Sequence, residues 1–251
     1  MAWQTPKTNW SAADGVRDSD FNRIEGNILE LYNTDAVRSD LTVHVATTGS
    51  DSTGRGTSAL PYATIAKALS VIPKNLNGKT VTINIAAGTY TEDVTIRDFS
   101  GGALILTSSG TVIMNSLTII NCTVKADFIT ISTAGGIGVF VTDGATFISN
   151  DAVITNGYSS GIAATNCSNV SIGGVLTVNN ATVGVQASNG SRIFVFQLAG
   201  SGIGTGFNAF NGGYISYGTF NGTIDTAITA TSTGGRVTTG SQTGSGGGAV
   251  I

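Results

Sequence analysis

Gly138-Val139-Phe140-Val141-Thr142-Asp143-Gly144 returns as Gly161-Ile162-Ala163-Ala164-Thr165-Asn166-Cys167, then as Gly184-Val185-Gln186-Ala187-Ser188-Asn189-Gly190, and again as Gly206-Phe207-Asn208-Ala209-Phe210-Asn211-Gly212. The Asp or Asn of the phrase falls at 143, 166, 189 and 211, in steps of 23, 23 and 22 residues. Self-similarity at such a period marks stacked repeats, each winding one layer of a solenoid. The same phase reaches back to Asn121 and Asp98, by steps of 22 and 23. Asn and Asp tolerate the left-handed backbone conformation better than other side chains, and stacked in register they hydrogen-bond as a ladder. Asp98, Asn121, Asp143, Asn166, Asn189 and Asn211 are therefore read as one structural column. Apolar residues flank each turn (Val141 and Phe147, Ala164 and Val170, Ala187 and Ile193, Ala209 and Ile215) and are expected to point inward. These features predict an all-β chain, a right-handed parallel β-helix of about 22–23 residues per coil. Asp143-Gly144, Asn189-Gly190 and Asn211-Gly212 also match hairpin turns. Antiparallel hairpins, however, place turns every ~8–12 residues with no shared phrase.

Composition narrows the function classes. The chain has 251 residues, with 35 Gly, 3 Pro, 11% charged residues and a net charge of −3, so it is neither collagen-like nor a proline-rich linker. No broad basic field exists to attract nucleic acid or anionic lipid. No apolar run approaches the ~20 residues that span a bilayer. Met1-Ala2-Trp3-Gln4 begins no basic-then-apolar leader, so no signal peptide is expected, and release from a cell would need lysis or another machine. Cys122 and Cys167 follow Asn121 and Asn166, which places them two coils, ~9–10 Å, apart. A disulfide needs Cα atoms within about 7 Å, so two free, buried thiols are expected.

Four segments follow. Residues 1–40 hold Trp3, Trp10 and a helical stripe, Phe21, Ile24, Ile28 and Leu31, that also reads as two heptads. Asp18, Ser19 and Asp20 suit its start. This helix either packs on its own domain or serves attachment and oligomerisation. Residues 41–100 form the entrance to the solenoid, with a capping helix over 62–72 closed by Pro73. An open β-helix leaves an apolar coil and an unpaired edge at its end, and a plug there covers both. Residues 101–237 are the coils. Residues 238–251, rich in Gly and Ser, read as a tail.

Catalytic chemistry finds little support. Glycoside hydrolysis needs paired carboxylates about 5–9.5 Å apart. The repeats from 136 to 225 carry acids only at Asp143, Asp151 and Asp225, and Asp143 belongs to the turn column. Arg192 and Arg236 are the nearby bases. His44, the sole histidine, lies mid-strand with no Gly-x-Ser-x-Gly elbow to support a triad. No Cys/His cluster has zinc spacing. Asp51-Ser52-Thr53-Gly54 lacks the later Glu of a calcium loop. Gly202-Ile203-Gly204-Thr205-Gly206 opens no helix, as a phosphate loop would. No catalytic residue, metal or cofactor is assigned. Aromatics crowd the last coils: Phe194, Phe196, Phe207, Phe210, Tyr214, Tyr217 and Phe220. They either fill the core or include a sugar-stacking patch, with Tyr214 and Tyr217 as its exposed members.

Two stretches carry a resemblance. Trp10-Ser11-Ala12-Ala13-Asp14 with Asp20-Phe21-Asn22-Arg23-Ile24-Glu25-Gly26-Asn27-Ile28 resembles the N-terminus of tail-associated structural proteins of bacteriophages and prophages of Gram-positive bacteria, of tail-fibre or tailspike type. Thr48-Gly49-Ser50-Asp51-Ser52-Thr53-Gly54-Arg55-Gly56, Leu60-Pro61-Tyr62-Ala63-Thr64-Ile65-Ala66-Lys67-Ala68-Leu69 and Ala87-Gly88-Thr89-Tyr90-Thr91-Glu92-Asp93-Val94-Thr95-Ile96 resemble the capping segment of phage and pectate-lyase-like β-helices. Pectin methylesterases share the Gly-x-Tyr-x-Glu phrase. Their Asp-Phe-Ile-Phe-Gly motif is only echoed, in Asp127-Phe128-Ile129-Thr130-Ile131, so that activity is not transferred. The resemblance implies a virion tail component that docks on other tail or baseplate proteins through residues 1–40, binds host cell-wall glycan and forms a homotrimer. A purely structural particle protein and a glycan depolymerase with its site between subunits remain alternatives.

Overall fold

The computed structural model describes residues 17–127, 129–132, 136–150, 153–156, 159–226, 229–230 and 234–242. The chain runs α1 (Asp18–Asp35), β1 (Leu41–Val45), α2 (Ile65–Val71), β2 (Thr80–Ile85), β3 (Gly88–Arg97), β4 (Ala103–Ser108), β5 (Val112–Ile120), β6 (Thr123–Ala126), β7 (Ile129–Ser132), β8 (Ile137–Thr142), β9 (Thr146–Ser149), β10 (Val153–Asn156), β11 (Ser160–Ala164), β12 (Asn169–Ala187), β13 (Arg192–Ala209), β14 (Tyr214–Thr226), β15 (Thr229–Ala230) and β16 (Arg236–Gln242). Every recorded strand pairing is parallel. The strands stack into a β-solenoid with three faces.

The first face is a continuous column. It starts β1-β2-β4-β6-β9 and continues through the opening segments of β12, β13 and β14 to β16. The second holds the start of β5, β7, β10 and the middle of β12. The third holds the end of β5, β8, β11 and the ends of β12 and β13. Alternation along each strand sends every second side chain inward. Val141, Phe147, Ala164, Val170, Ala187, Ile193, Ala209 and Ile215 are all buried, so the flanking apolar pairs do line the interior.

The turn column has the backbone that its residue types require. Asp98, Asn121, Asp143, Asn166, Asn189 and Asn211 all have positive φ, from 47° to 62°. Nδ2 of Asn121 donates to Oδ1 of Asp98 at 3.1 Å, Asn166 to Asp143 at 2.9 Å, Asn189 to Asn166 at 3.2 Å and Asn211 to Asn189 at 3.4 Å. Each amide thus donates to the coil before it. Asp143, an acceptor with no donor of its own when ionised, starts the upper run afresh.

The cysteines correct the expectation of two equivalent buried thiols. Both are free, but Cys122 is buried and Cys167 is exposed. Strand register explains the difference. Thr123 aligns with Thr146, and Thr146 with Asn169, so Cys122 is equivalent to Ala145 and Ser168, the inward residues that begin each strand. From Asp143 upward the turn has gained one residue. Asp143-Gly144, Asn166-Cys167, Asn189-Gly190 and Asn211-Gly212 are each a pair with positive φ, and Cys167, at 61°, stands where the other coils have glycine. Burial pushes the Cys122 thiol up from its ordinary value.

The first glycine of the recurring phrase has a different task. A Cβ at Gly138 would lie 2.7 Å from the Gly161 carbonyl oxygen, one at Gly161 2.7 Å from that of Gly184, and one at Gly184 2.6 Å from that of Gly206. The column of bare Cα atoms lets successive coils approach at the third face.

The N-terminal end is closed in two parts. α2 buries Ile65, Ala68 and Leu69 over the first coil. The free edge of β1 is satisfied separately by the loop before α2: His44 N–H donates to Gly56 O at 2.8 Å, Tyr62 N–H to His44 O at 3.0 Å, and Ala46 N–H to Tyr62 O at 2.9 Å. The acids of the capping phrases hold this plug. Glu92 accepts the N–H groups of Ile65 and Ala66, both at 2.9 Å, at the orphan end of α2. Asp51 Oδ1 accepts the N–H groups of Ala63 (2.8 Å) and Thr64 (3.1 Å), and its Oδ2 accepts the Thr64 hydroxyl at 2.6 Å. Tyr90 donates its hydroxyl to Ala86 O at 2.8 Å. Gly88-Thr89-Tyr90-Thr91-Glu92 therefore fastens a helix. At the other end, β16 continues pairing with β14 through Gln242, past the boundary set at 237, because ladder bonds use backbone alone.

In α1 the Arg17 N–H donates to the Asp20 carboxylate at 3.1 Å, and Asp20 also pairs with Arg23 at 3.3 Å. Its polar residues Asp20 and Asn27 are buried, while Phe21, Ile24 and Ile28 are 57%, 47% and 62% exposed. Leu31's side chain and residues 1–16, with Trp3 and Trp10, lie outside what is described. No described helix is long and apolar enough to cross a membrane.

Gly161→Ala should destabilise the solenoid by about 2–3 kcal/mol, since the added methyl overlaps backbone that cannot swing away. Denaturant unfolding checks this. Asp51 gives a pH-dependent outcome. Burial raises its carboxyl, but the Thr64 hydroxyl, the two amides and the Lys67 charge outweigh it and hold the pKa below the usual value. A depressed folded pKa means that the stabilisation is present above the unfolded value, about 3.9, and is lost as pH falls through the folded one. Asp51→Asn should lower the melting temperature at neutral pH, and its difference from the parent should shrink as pH falls through the depressed folded pKa and the native carboxyl takes up its proton.

Candidate functional site

The upper part of the first face carries the exposed chemistry. Register places Thr146, Asn169, Arg192, Tyr214 and Arg236 in one outward column. Beside it run Ile148, Ser171, Phe194, Ser216 and Thr238. A shallow groove of about 390 Å³ lies between the two columns, bordered by Asn169, Ser171, Arg192, Phe194, Tyr214 and Ser216. Phe194 and Phe196 are 43% and 54% exposed. Their position follows from parity: Ile193 and Val195 point inward, so the phenylalanines between and after them point out. Tyr214 shares a 2.9 Å hydroxyl–hydroxyl hydrogen bond with Thr238 one coil above, which fixes the ring against the face. That hydrogen bond, opposed by slight burial and assisted by Ser216 and Arg236, holds the Tyr214 phenol below its ordinary pKa.

Tyr217 is a correction. Expected beside Tyr214 as an exposed stacking residue, it is only 1% exposed. Tyr214 and Tyr217 are three apart on one strand, and a period of two puts them on opposite faces. Tyr217 stacks inside on Phe207, centroids 4.2 Å apart and planes inclined by 15°. In register they stand above Val195 and Val185, so the aromatic pair fills a wider cross-section at the top of the solenoid. The exposed aromatics that sequence reasoning passed over are Phe194 and Phe196, and the same parity argument would have found them.

Of the three acids in the repeats, only Asp143 has a described side chain. Asp143 is used in the turn column, Asp151 lies outside the described residues, and the side chain of Asp225 is not described. Among the described residues no three of His, Cys, Asp and Glu gather where they could hold a metal ion. The column Asp98, Asn121, Asp143, Asn166, Asn189 and Asn211 is exposed along one corner, but its hydrogen bonds run from coil to coil. No family model matches the chain, and no curated protein or solved structure matches it either.

Tyr217→Ala should cost about 3–5 kcal/mol of stability, as for a buried aromatic truncation, and Tyr214→Ala about 1 kcal/mol or less. Chemical denaturation of the two variants side by side checks the assignment of their faces.

Proposed function

We propose that this protein is a bacteriophage tail appendage, non-enzymatic, whose β-solenoid presents a rigid face to cell-surface carbohydrate. The observation that carries the reading is exposed Phe194 beside Tyr214, Asn169, Ser171 and Ser216, with Phe196 exposed two residues along the same strand. Exposed aromatic faces supply the apolar contact that a sugar ring's C–H surface needs, and flanking hydroxyl and amide groups supply donors and acceptors for its hydroxyls. Two large apolar side chains held outward on a strand, with the core already filled, are a feature that folding does not require. The parallel solenoid and the resemblance of residues 10–100 to phage tail proteins support placement on a virion. Purified protein should bind cell walls from a panel of Gram-positive bacteria. Phe194→Ser with Phe196→Ser should cut that binding by roughly tenfold or more without loss of stability. Equal binding by the double variant contradicts the reading.

Residues 1–40 are proposed as the segment for attachment and trimerisation. An apolar stripe at 21, 24 and 28 facing water on a helix is the arrangement a coiled-coil seam has before its partners arrive. Ile24→Asp with Ile28→Asp should convert a trimer to a monomer by mass measurement in solution. A monomeric parent protein removes this part of the proposal.

A further inference from the structure

We propose that the first face binds a linear polyanion laid parallel to the solenoid axis, with its charges held by Arg192 and Arg236. This deepens the carbohydrate reading above and rests on it. Of the chain's 12 Lys and Arg, only these two follow Lys125. They are not scattered. Register stacks Arg192 under Tyr214 and Tyr214 under Arg236, so the last two cations of a chain with net charge −3 share one column of one face. No Asp or Glu occurs in segments 146–149, 169–172, 192–195, 214–217 or 236–239, which build that face. Both arginines are exposed, and neither has a carboxylate partner among the described residues.

A second groove, of about 240 Å³, runs beside them and shares Arg192 and Tyr214 with the one bordered by Phe194. Its floor is Gly190, Gly212 and Gly234, the turn glycines of three successive coils. A Cβ at Gly234 would meet nothing within 4 Å, one at Gly212 only backbone of Gly190 at 3.8 Å and beyond, and one at Gly190 only the Cys167 sulfur at 3.4 Å, ordinary contact distance. The floor is thus bare and open to a ligand, with Arg192 and Arg236 at its ends and Tyr214 between them, its hydroxyl turned toward Thr238.

The spacing selects the ligand. Two coils separate the arginine backbones by about 9.6 Å. One carboxylate or phosphate does not bridge that gap, so the charges recognised repeat along a chain. A guanidinium fork suits planar carboxylate and phosphate alike. The shared chemistry is an extended polymer with regularly spaced anionic groups, as in a uronate-containing glycan or a polyol phosphate. Only two cations are offered, which is too few for the dense charge of a nucleic acid.

The test is calorimetric titration of the full chain with a galacturonate oligomer, a glycerol-phosphate oligomer, a neutral malto-oligosaccharide and single-stranded DNA. One or both of the first two should bind roughly tenfold more tightly than the neutral sugar, and added salt should weaken them. Which one binds distinguishes uronate from phosphodiester. Arg192→Gln and Arg236→Gln should each weaken that binding several-fold, and the double variant by about tenfold or more, with melting temperature unchanged. The inference is overturned if neither anionic oligomer outbinds the neutral one, if DNA binds most tightly, or if the double variant binds as the parent does. Failure here with cell-wall binding still dependent on Phe194 and Phe196 leaves the carbohydrate reading standing. Charge-dependent binding without that dependence removes the aromatic platform instead.

Discussion

Vertical register between coils is the constraint on which this molecule depends. Each coil must return to a point ~4.8 Å above its start, with the same parity, or every inward side chain of the next coil faces water. Two columns enforce the return. At one corner the left-handed Asn and Asp residues turn the chain sharply, and the Asn amides donate to the coil below. At the third face the glycines at 138, 161 and 184 remove the Cβ atoms that would hold the coils apart. One column pulls the coils into line and the other lets them close. Between them a core of Val, Ile, Leu and Ala needs only the right size and polarity.

This division of labour explains what was legible. The period, the turn residues and the flanking apolar pairs are all consequences of the register, and all three can be read without coordinates. The two thiols could not be placed by phrase alignment alone, because the turn grows by one residue between Asn121 and Asp143. Asn121-Cys122 and Asn166-Cys167 look alike as letters, yet the first Cys starts a strand inward and the second occupies a left-handed turn position in solvent. The roles of Asp51 and Glu92 were hidden for another reason. Both act on backbone N–H groups near the start of α2, Glu92 from 27 residues away, and no local pattern records such a contact. The outward Phe194 and inward Tyr217 were legible in principle, since strand parity alone decides them. What hid them was counting aromatics by position along the chain instead of by face.

A solenoid built this way has little freedom to rearrange, and its function is a matter of what the faces display. On the lower first face Lys125 pairs with Asp127 at 3.4 Å. The upper first face leaves Arg192 and Arg236 without a carboxylate partner among the described residues, and aromatics uncovered, on a surface whose strands pair from coil to coil. Neither feature stabilises the fold. Rigid display also suits avidity, because identical faces on several copies would engage one polymer without any ordering of loops.

The claim under all of this is that residues in register stand directly above one another. Spin labels at Lys125 and Thr238, with Cys122 and Cys167 replaced, test it by pulsed dipolar spectroscopy. These positions share one outward column five coils apart. The account predicts one narrow distance near 24 Å. A broad distribution, or a mean far from that value, would contradict it.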